Sequence, residues 1–178
     1  MLKTMPQSRG EAVAENQRQS APSRGDVFEL GTPDGRFGYG LVVEGGGVPY
    51  IAILGGLHDS RPALDELEND SVALVGWTMD SWFHHGRWSL VGKLDPDRVD
   101  VPYPNFNVGI DGEPHATDYK GKVLGPAQPE EPGLLDCKSS RAPIGFQNAF
   151  LALHGYRQWD AADDSLTANH ARRRMTRR

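Results

Sequence analysis

Glycines alternate with aromatic residues at positions 37–40 (FGYG), and an apolar run, Leu41-Val42-Val43, follows directly. Side chains of a β-strand point alternately to its two faces, so glycine at every second position leaves one face bare for a close neighbour. The chain has 21 Gly and 13 Pro in 178 residues, which argues against a long helical bundle and favours short strands joined by turns. We therefore expect a mostly β protein.

Several further runs have the composition of strands. Residues 27–30 (VFEL) and residues 37–43 are separated by a turn sequence at residues 32–35 (TPDG), which predicts a hairpin. After the three glycines of residues 45–47, residues 48–54 predict a third strand and hence a meander. Additional strands are predicted at residues 72–77 and 87–92, an edge strand at 99–103, and short pairings at 106–108 and 117–123.

Two segments have the spacing of helices. Over residues 59–69, Pro62 suits a first turn, and Leu64 and Leu67 lie three positions apart among acidic residues. The second helix follows Pro143, with one apolar face made of Phe146, Ala149, Phe150 and Leu153. The predicted fold is therefore mostly β (α+β): a small SH3-like barrel or a strongly bent antiparallel sheet, with one short acidic helix and a C-terminal helix.

The two ends of the chain differ in composition from its middle. Residues 1–24 are polar and lack apolar periodicity, which predicts a disordered tail. Residues 169–178 predict a second, basic disordered tail, which leaves residues 25–168 as a single β-rich domain. No run approaches the roughly 18 apolar residues of a membrane span, and no signal-peptide pattern opens the chain, so a cytoplasmic location is expected.

The folded body is strongly acidic. With the four basic and two acidic groups of residues 1–24 and the five arginines of residues 172–178 set aside, 10 basic and 22 acidic groups remain on residues 25–171, a net of -12. A field of that sign repels phosphate backbones and attracts cationic partners. The body is therefore not expected to bind nucleic acid, and a basic protein partner is favoured.

Motifs that carry chemistry are weak in this chain. The adjacent pair His84 and His85, with Asp80 nearby, is the only local histidine cluster, and neighbouring residues of a strand or turn point in different directions. Cys137 is the only cysteine, and the Gly-x-Ser-x-Gly elbow of a serine nucleophile is absent. The sequence predicts no catalytic residue, no metal site and no cofactor.

The segment of residues 77–88 holds three of the four tryptophans. Trp77 and Trp88 are expected in the core, whereas Trp82 and Phe83 fall in a turn, where aromatic residues serve as binding hot spots. Acids near such aromatics can pair with the Lys or Arg of a partner. The predicted partner-binding residues are Asp65, Glu66, Glu68, Asp80, Trp82 and Phe83.

Four short motifs together resemble a known family. They are GDVFEL at residues 25–30, DGRFGYGLV at 34–42, WSLVG at 88–92 and PNF at 104–106. These segments are similar to the immunity protein 26 family of bacterial polymorphic toxin systems. The resemblance implies a mostly β protein, with an SH3-like barrel as its expected form, that binds and neutralises a cognate toxin and has no catalytic residues of its own.

Two other functions stay open at this stage. Gly25-Asp26 followed by a strand and an early hairpin also resembles the SH3-like barrel ribonucleases of the MazF/PemK type, although the acidic body disfavours RNA binding. The other alternative is a non-enzymatic module that binds a peptide or small ligand in a pocket lined by Trp82 and Phe83.

Overall fold

The computed structural model describes residues 21–175, so residues 1–20 of the predicted N-terminal tail and residues 176–178 lie outside the described residues. The described chain forms a six-stranded and a three-stranded sheet. The larger sheet contains β1 Asp26–Gly31, β2 Phe37–Glu44, β3 Tyr50–Leu54, β4 Val72–Thr78, β5 Ser89–Lys93 and β9 Ser140–Arg141. The smaller sheet contains β6 Phe106–Ile110, β7 Glu113–Thr117 and β8 Val123–Pro126.

Helices occupy a smaller part of the described residues. The α-helices are α1 Ser81–His84, α2 Pro143–Leu153 and α3 Ala168–Arg173. Short 3-10 helices cover Glu66–Asn69, Pro96–Arg98, Glu131–Gly133 and Ala161–Leu166. The mostly β (α+β) fold class and the helix after residue 143 are therefore confirmed.

The large sheet has the strand order β5-β1-β2-β3-β4-β9 and is open within the described chain. The predicted hairpin pairs β1 with β2 antiparallel, with Val27 opposite Leu41 and Glu29 opposite Tyr39. Strands β3 and β4 continue the antiparallel meander, and only β9 is parallel to its neighbour. The SH3-like barrel is therefore not formed in the described chain, because β5 and β9 end the sheet without pairing to each other.

The bare glycine face predicted for β2 is confirmed. A Cβ atom on Gly38 would overlap the ring of Phe150 from α2, and a Cβ on Gly40 would overlap the ring of Phe28 from β1. Both phenylalanine rings are fully buried. The alternation of glycine and aromatic residues therefore lets rings from two other elements lie directly on the backbone of β2.

Both faces of the large sheet are buried, which explains why its strands are continuously apolar rather than alternating. On one face, α2 packs Phe146 and Phe150 with Phe28 of β1. On the other face, α3 contributes Ala168 and Ala171 to a cluster that also contains residues of β1 to β4. The sheet is thus held between the two helices that follow it in the chain.

Three segments differ from the sequence predictions. Residues 59–65 are not helical, and only the 3-10 helix Glu66–Asn69 forms at the end of the predicted acidic helix. Residues 99–103 do not form the predicted edge strand. Pro102 and Pro104 have no backbone N–H to donate to a neighbouring strand, and the Pro102 carbonyl accepts a hydrogen bond from the Tyr50 hydroxyl at 2.9 Å. The third difference concerns the C-terminal segment.

Residues 168–173 form helix α3 instead of belonging to a disordered tail. Thr167 caps the helix, because its hydroxyl accepts from the His170 amide at 3.2 Å. Ala168 and Ala171 are buried on the sheet, and Arg174 directly after the helix is only 6% exposed. The buried stripe consists of two alanines next to three arginines, which is too short to be recognised in the sequence.

Candidate partner-binding surfaces

The predicted site residues fall at opposite ends of β4. We call residues 65–69 the acidic turn, which precedes β4, and residues 79–86 the Trp turn, which follows it. The seven residues of β4 span about 20 Å at the rise of an extended strand. The structure therefore divides the predicted set into two separate surfaces.

The Trp turn is built on α1. The Asp80 carbonyl accepts from the amides of Phe83 at 3.0 Å and His84 at 3.2 Å, and the Asp80 carboxylate lies 2.9 Å from Nε2 of His84. The turn is joined to the loop before β3, since the Asp80 amide donates to the Gly47 carbonyl at 3.3 Å. These bonds hold Asp80 in a defined position at the end of the sheet.

The aromatic residues of the Trp turn have different exposures. Phe83 is fully buried and lies edge-on to Phe28, with ring centroids 5.1 Å apart. In this conformation a partner has no access to Phe83, which corrects its prediction as a contact residue: the ring anchors the turn to the core. Trp82 is half-buried; its ring is nearly perpendicular to that of Trp88, with centroids 5.3 Å apart, and the Arg87 guanidinium lies 5.5 Å from its ring centroid.

Two exposed apolar residues extend this surface. Val48 and Met79 are 50% and 46% exposed, and the backbone bonds from Thr78 to Pro49 and from Asp80 to Gly47 place them opposite each other. Sequence reasoning missed both, because an isolated Val or Met is far more often buried. We call Val48, Met79, Asp80 and Trp82 the Trp-turn surface.

The acidic turn presents only part of its predicted charge. Asp65 and Glu66 are exposed. Glu68 is different: its side chain is 15% exposed and forms a 2.7 Å ion pair with Arg98. A contact between a partner and Asp65 or Glu66 stays a prediction. The carboxylate of Glu68 instead forms an ion pair within the domain.

A cluster of four aromatic residues joins the two sheets and was not predicted. Tyr50 and Trp77 have centroids 5.2 Å apart, and Tyr103 and Tyr119 have centroids 4.7 Å apart. The Tyr119 hydroxyl donates to Glu44 at 2.8 Å. Burial and then this hydrogen bond raise the pKa of Tyr119 to about 12. The four residues are far apart in the chain, so no local sequence pattern could have identified the cluster. Trp77, which was expected in the core, is half-buried.

Metal-binding clusters and membrane-spanning helices are not found within residues 21–175. In that part of the chain, no three His, Cys, Asp or Glu side chains lie together as a group able to hold a metal ion. None of the described helices has both the length and the apolar character required to cross a bilayer.

Comparison with known proteins identifies a family to which the chain is similar. A family model described as Immunity protein 26 matches residues 23–114, which is just over half of the chain. The matched segment runs from before β1 to within β7, and it includes the Gly-aromatic hairpin, the acidic turn and the Trp turn. No curated protein and no solved structure matches the chain.

Proposed function

The chain belongs to the Immunity protein 26 family, and on this premise we propose that it binds a cognate bacterial toxin and neutralises it by protein–protein contact. The family membership is the observation that carries the proposal. It fits a chain whose recognisable motifs build a packed β scaffold. The proposal includes a cytoplasmic location, which suits a single exposed, unpaired Cys137.

Charge supports a basic partner. Residues 25–171 carry a net of -12, and Asp65 and Glu66 lie exposed on the acidic turn. Toxins that attack nucleic acid must bind phosphate and are commonly basic, so an acidic inhibitor can cover such a surface. We therefore propose a basic toxin domain as the partner.

The Trp-turn surface is our proposed centre of the contact. It combines an aromatic residue, two exposed apolar residues and a carboxylate in one place. Trp is enriched at interface hot spots and Met at interfaces, and the contacts around such an anchor exclude water from it. The acidic turn, about 20 Å away at the other end of β4, is proposed to accelerate encounter with the toxin.

The two other functions weighed from the sequence have less support. The resemblance to MazF/PemK-type ribonucleases depended on an SH3-like barrel, whereas the described sheet is open. A ligand pocket lined by both Trp82 and Phe83 is not formed, because Phe83 has no exposed surface. We accordingly propose a binding protein without catalytic activity.

Charge reversal on the acidic turn tests the proposed steering. In the double variant Asp65→Lys with Glu66→Lys, the association rate with the toxin is expected to fall about tenfold at low salt, with a weaker salt dependence and little change in the dissociation rate. The matched control is Glu113→Lys with Glu130→Lys, which makes the same charge change at exposed acids elsewhere. Equal association rates for both double variants would rule out steering by the acidic turn.

The direct test of the function uses purified proteins. A candidate toxin domain taken from a neighbouring gene is titrated with this chain in a calorimeter, and its activity is measured in the presence and absence of the chain. A saturable complex that abolishes toxin activity at equimolar concentration supports the proposal. Binding without inhibition, or no binding, would contradict it.

A further inference from the structure

A cavity of about 80 Å³ lies between β4 of the large sheet, β6 of the small sheet and the end of α3. Its inner wall contains buried side chains, among them Tyr50, Phe106 and Arg174. Cys137 and Ser139, which are exposed, also line the cavity. The lining thus combines exposed residues with a buried charged group, Arg174.

Arg174 is the unusual group in this cavity. Its side chain is 7% exposed, and one terminal nitrogen, Nη1, donates to Asp136 Oδ2 at 2.9 Å. The guanidinium also lies 5.3 Å from the centroid of the Phe106 ring. Its Nε atom is buried and has no hydrogen-bond acceptor among residues 21–175. A buried donor of a charged group is costly to leave without an acceptor.

Two guanidinium groups line the cavity. Arg141 lies beside Arg174 in the lining, and its Nη2 atom donates to Asp163 at 2.8 Å. Asp136 and Asp163 balance the two positive charges, so the N–H donor that Arg174 leaves without an acceptor among the described residues, rather than a net charge, favours an oxyanion. Guanidinium groups bind carboxylates and phosphates through paired N–H donors.

We infer that this cavity binds one small oxyanion, a carboxylate or a phosphate, which accepts a hydrogen bond from Arg174 Nε and lies beside Arg141. The volume is sufficient for a single group of this size and too small for a nucleotide. The anion is either a free ion or a carboxylate presented by another molecule. This inference does not depend on toxin binding.

The test is a titration of the full chain with sodium acetate and, separately, sodium phosphate, at constant ionic strength set by sodium chloride. The side-chain Nε–H resonances of the arginines are followed by ¹⁵N-correlated NMR. The Arg174 signal is expected to shift and saturate, while that of Arg172, which pairs with the exposed Asp100, stays in place. Saturation by acetate alone identifies a carboxylate site, by phosphate alone a phosphate site, and by both a general oxyanion site.

Two variants keep the inference testable. Arg174→Lys retains the charge but removes Nε–H, and we expect the affinity for the anion, followed in this variant through the Arg141 Nε–H signal, to fall at least about tenfold. Ser139→Asp leaves Arg174 intact and places a competing carboxylate among the lining residues, with the same expected loss. Ser140→Asp is its matched control, because Ser140 is equally exposed and does not line the cavity.

The inference would be overturned by the absence of any saturable shift of Arg174 Nε–H with either anion. It would also be overturned if Ser139→Asp and the control Ser140→Asp bound the anion as tightly as the unmodified chain. The cavity would then contain only water. Either result leaves the proposed toxin binding untouched, because no toxin is present in the experiment.

Discussion

Trp82→Ala is expected to raise the dissociation rate of the toxin complex about 30-fold or more, with an association rate changed less than threefold. Truncating a hot-spot aromatic residue costs about 2 kcal/mol or more, and most of that cost is expressed in dissociation. Trp82 is half-buried and packs nearly perpendicular to Trp88, so it is positioned firmly before a partner arrives. Surface-immobilised toxin and the purified variant give both rates in one binding experiment.

Trp159→Ala separates loss of contact from loss of stability. Trp159 is also half-buried and packs against the same core cluster as Trp82, but it lies outside the Trp turn. Both substitutions should lower the melting temperature by similar amounts, whereas only Trp82→Ala should shorten the lifetime of the complex. An equal change of dissociation rate in both variants would remove the Trp-turn surface as the centre of the contact.

Gly40→Ala is expected to lower the free energy of unfolding by about 3 kcal/mol, the upper part of the usual range for overpacking. The added Cβ would overlap the Phe28 ring, which lies opposite Gly40 in the β1–β2 ladder. That ring cannot move aside easily, because it is stacked on Trp88 with centroids 4.7 Å apart and is fully buried. The melting temperature should fall by about 6–12 °C.

Gly31→Ala is the matched control for this prediction. Gly31 ends β1, is exposed, and has no other atom within 4 Å of a Cβ placed on it. The same methyl group there should leave stability unchanged or raise it slightly, since alanine restricts the unfolded chain. If Gly40→Ala melted within 2 °C of Gly31→Ala, the close approach of Phe28 to β2 would not describe the protein in solution.

Features that depend on neighbouring residues could be predicted from the sequence. The hairpin of β1 and β2 follows from a turn sequence between two apolar runs, and the close approach at Gly38 and Gly40 follows from the period of a strand. The helix after Pro143 follows from the spacing of Phe146 and Phe150. In each case the signal and the structure lie within about ten residues of each other.

Features that depend on distant contacts could not be predicted. The burial of Phe83 requires Phe28 and Trp88 to surround it, although a turn position by itself suggested exposure. The ordering of α3 requires the sheet face on which Ala168 and Ala171 pack. The pairing of β4 with β9 joins residues more than 60 positions apart, and no pattern in either strand encodes it.

The division of the predicted site has the same origin. The acidic residues and the tryptophans were grouped by chemistry, and only the placement of β4 between them shows that they occupy separate surfaces. Glu68 resembles Asp65 and Glu66 in the sequence, but a 2.7 Å pair with Arg98 distinguishes it in the fold. Proximity in sequence therefore identified the candidate residues without defining one surface.

Binding of a toxin by this chain is proposed to protect the cell. This protection is measured as survival of bacteria that express a candidate toxin from a neighbouring gene, with the unmodified chain, with Trp82→Ala, or with neither. Survival with the unmodified chain, recovery of the two proteins as one stoichiometric complex, and reduced survival with Trp82→Ala are predicted. Death of the cells despite well-expressed, folded chain, with no complex recovered, would contradict the account.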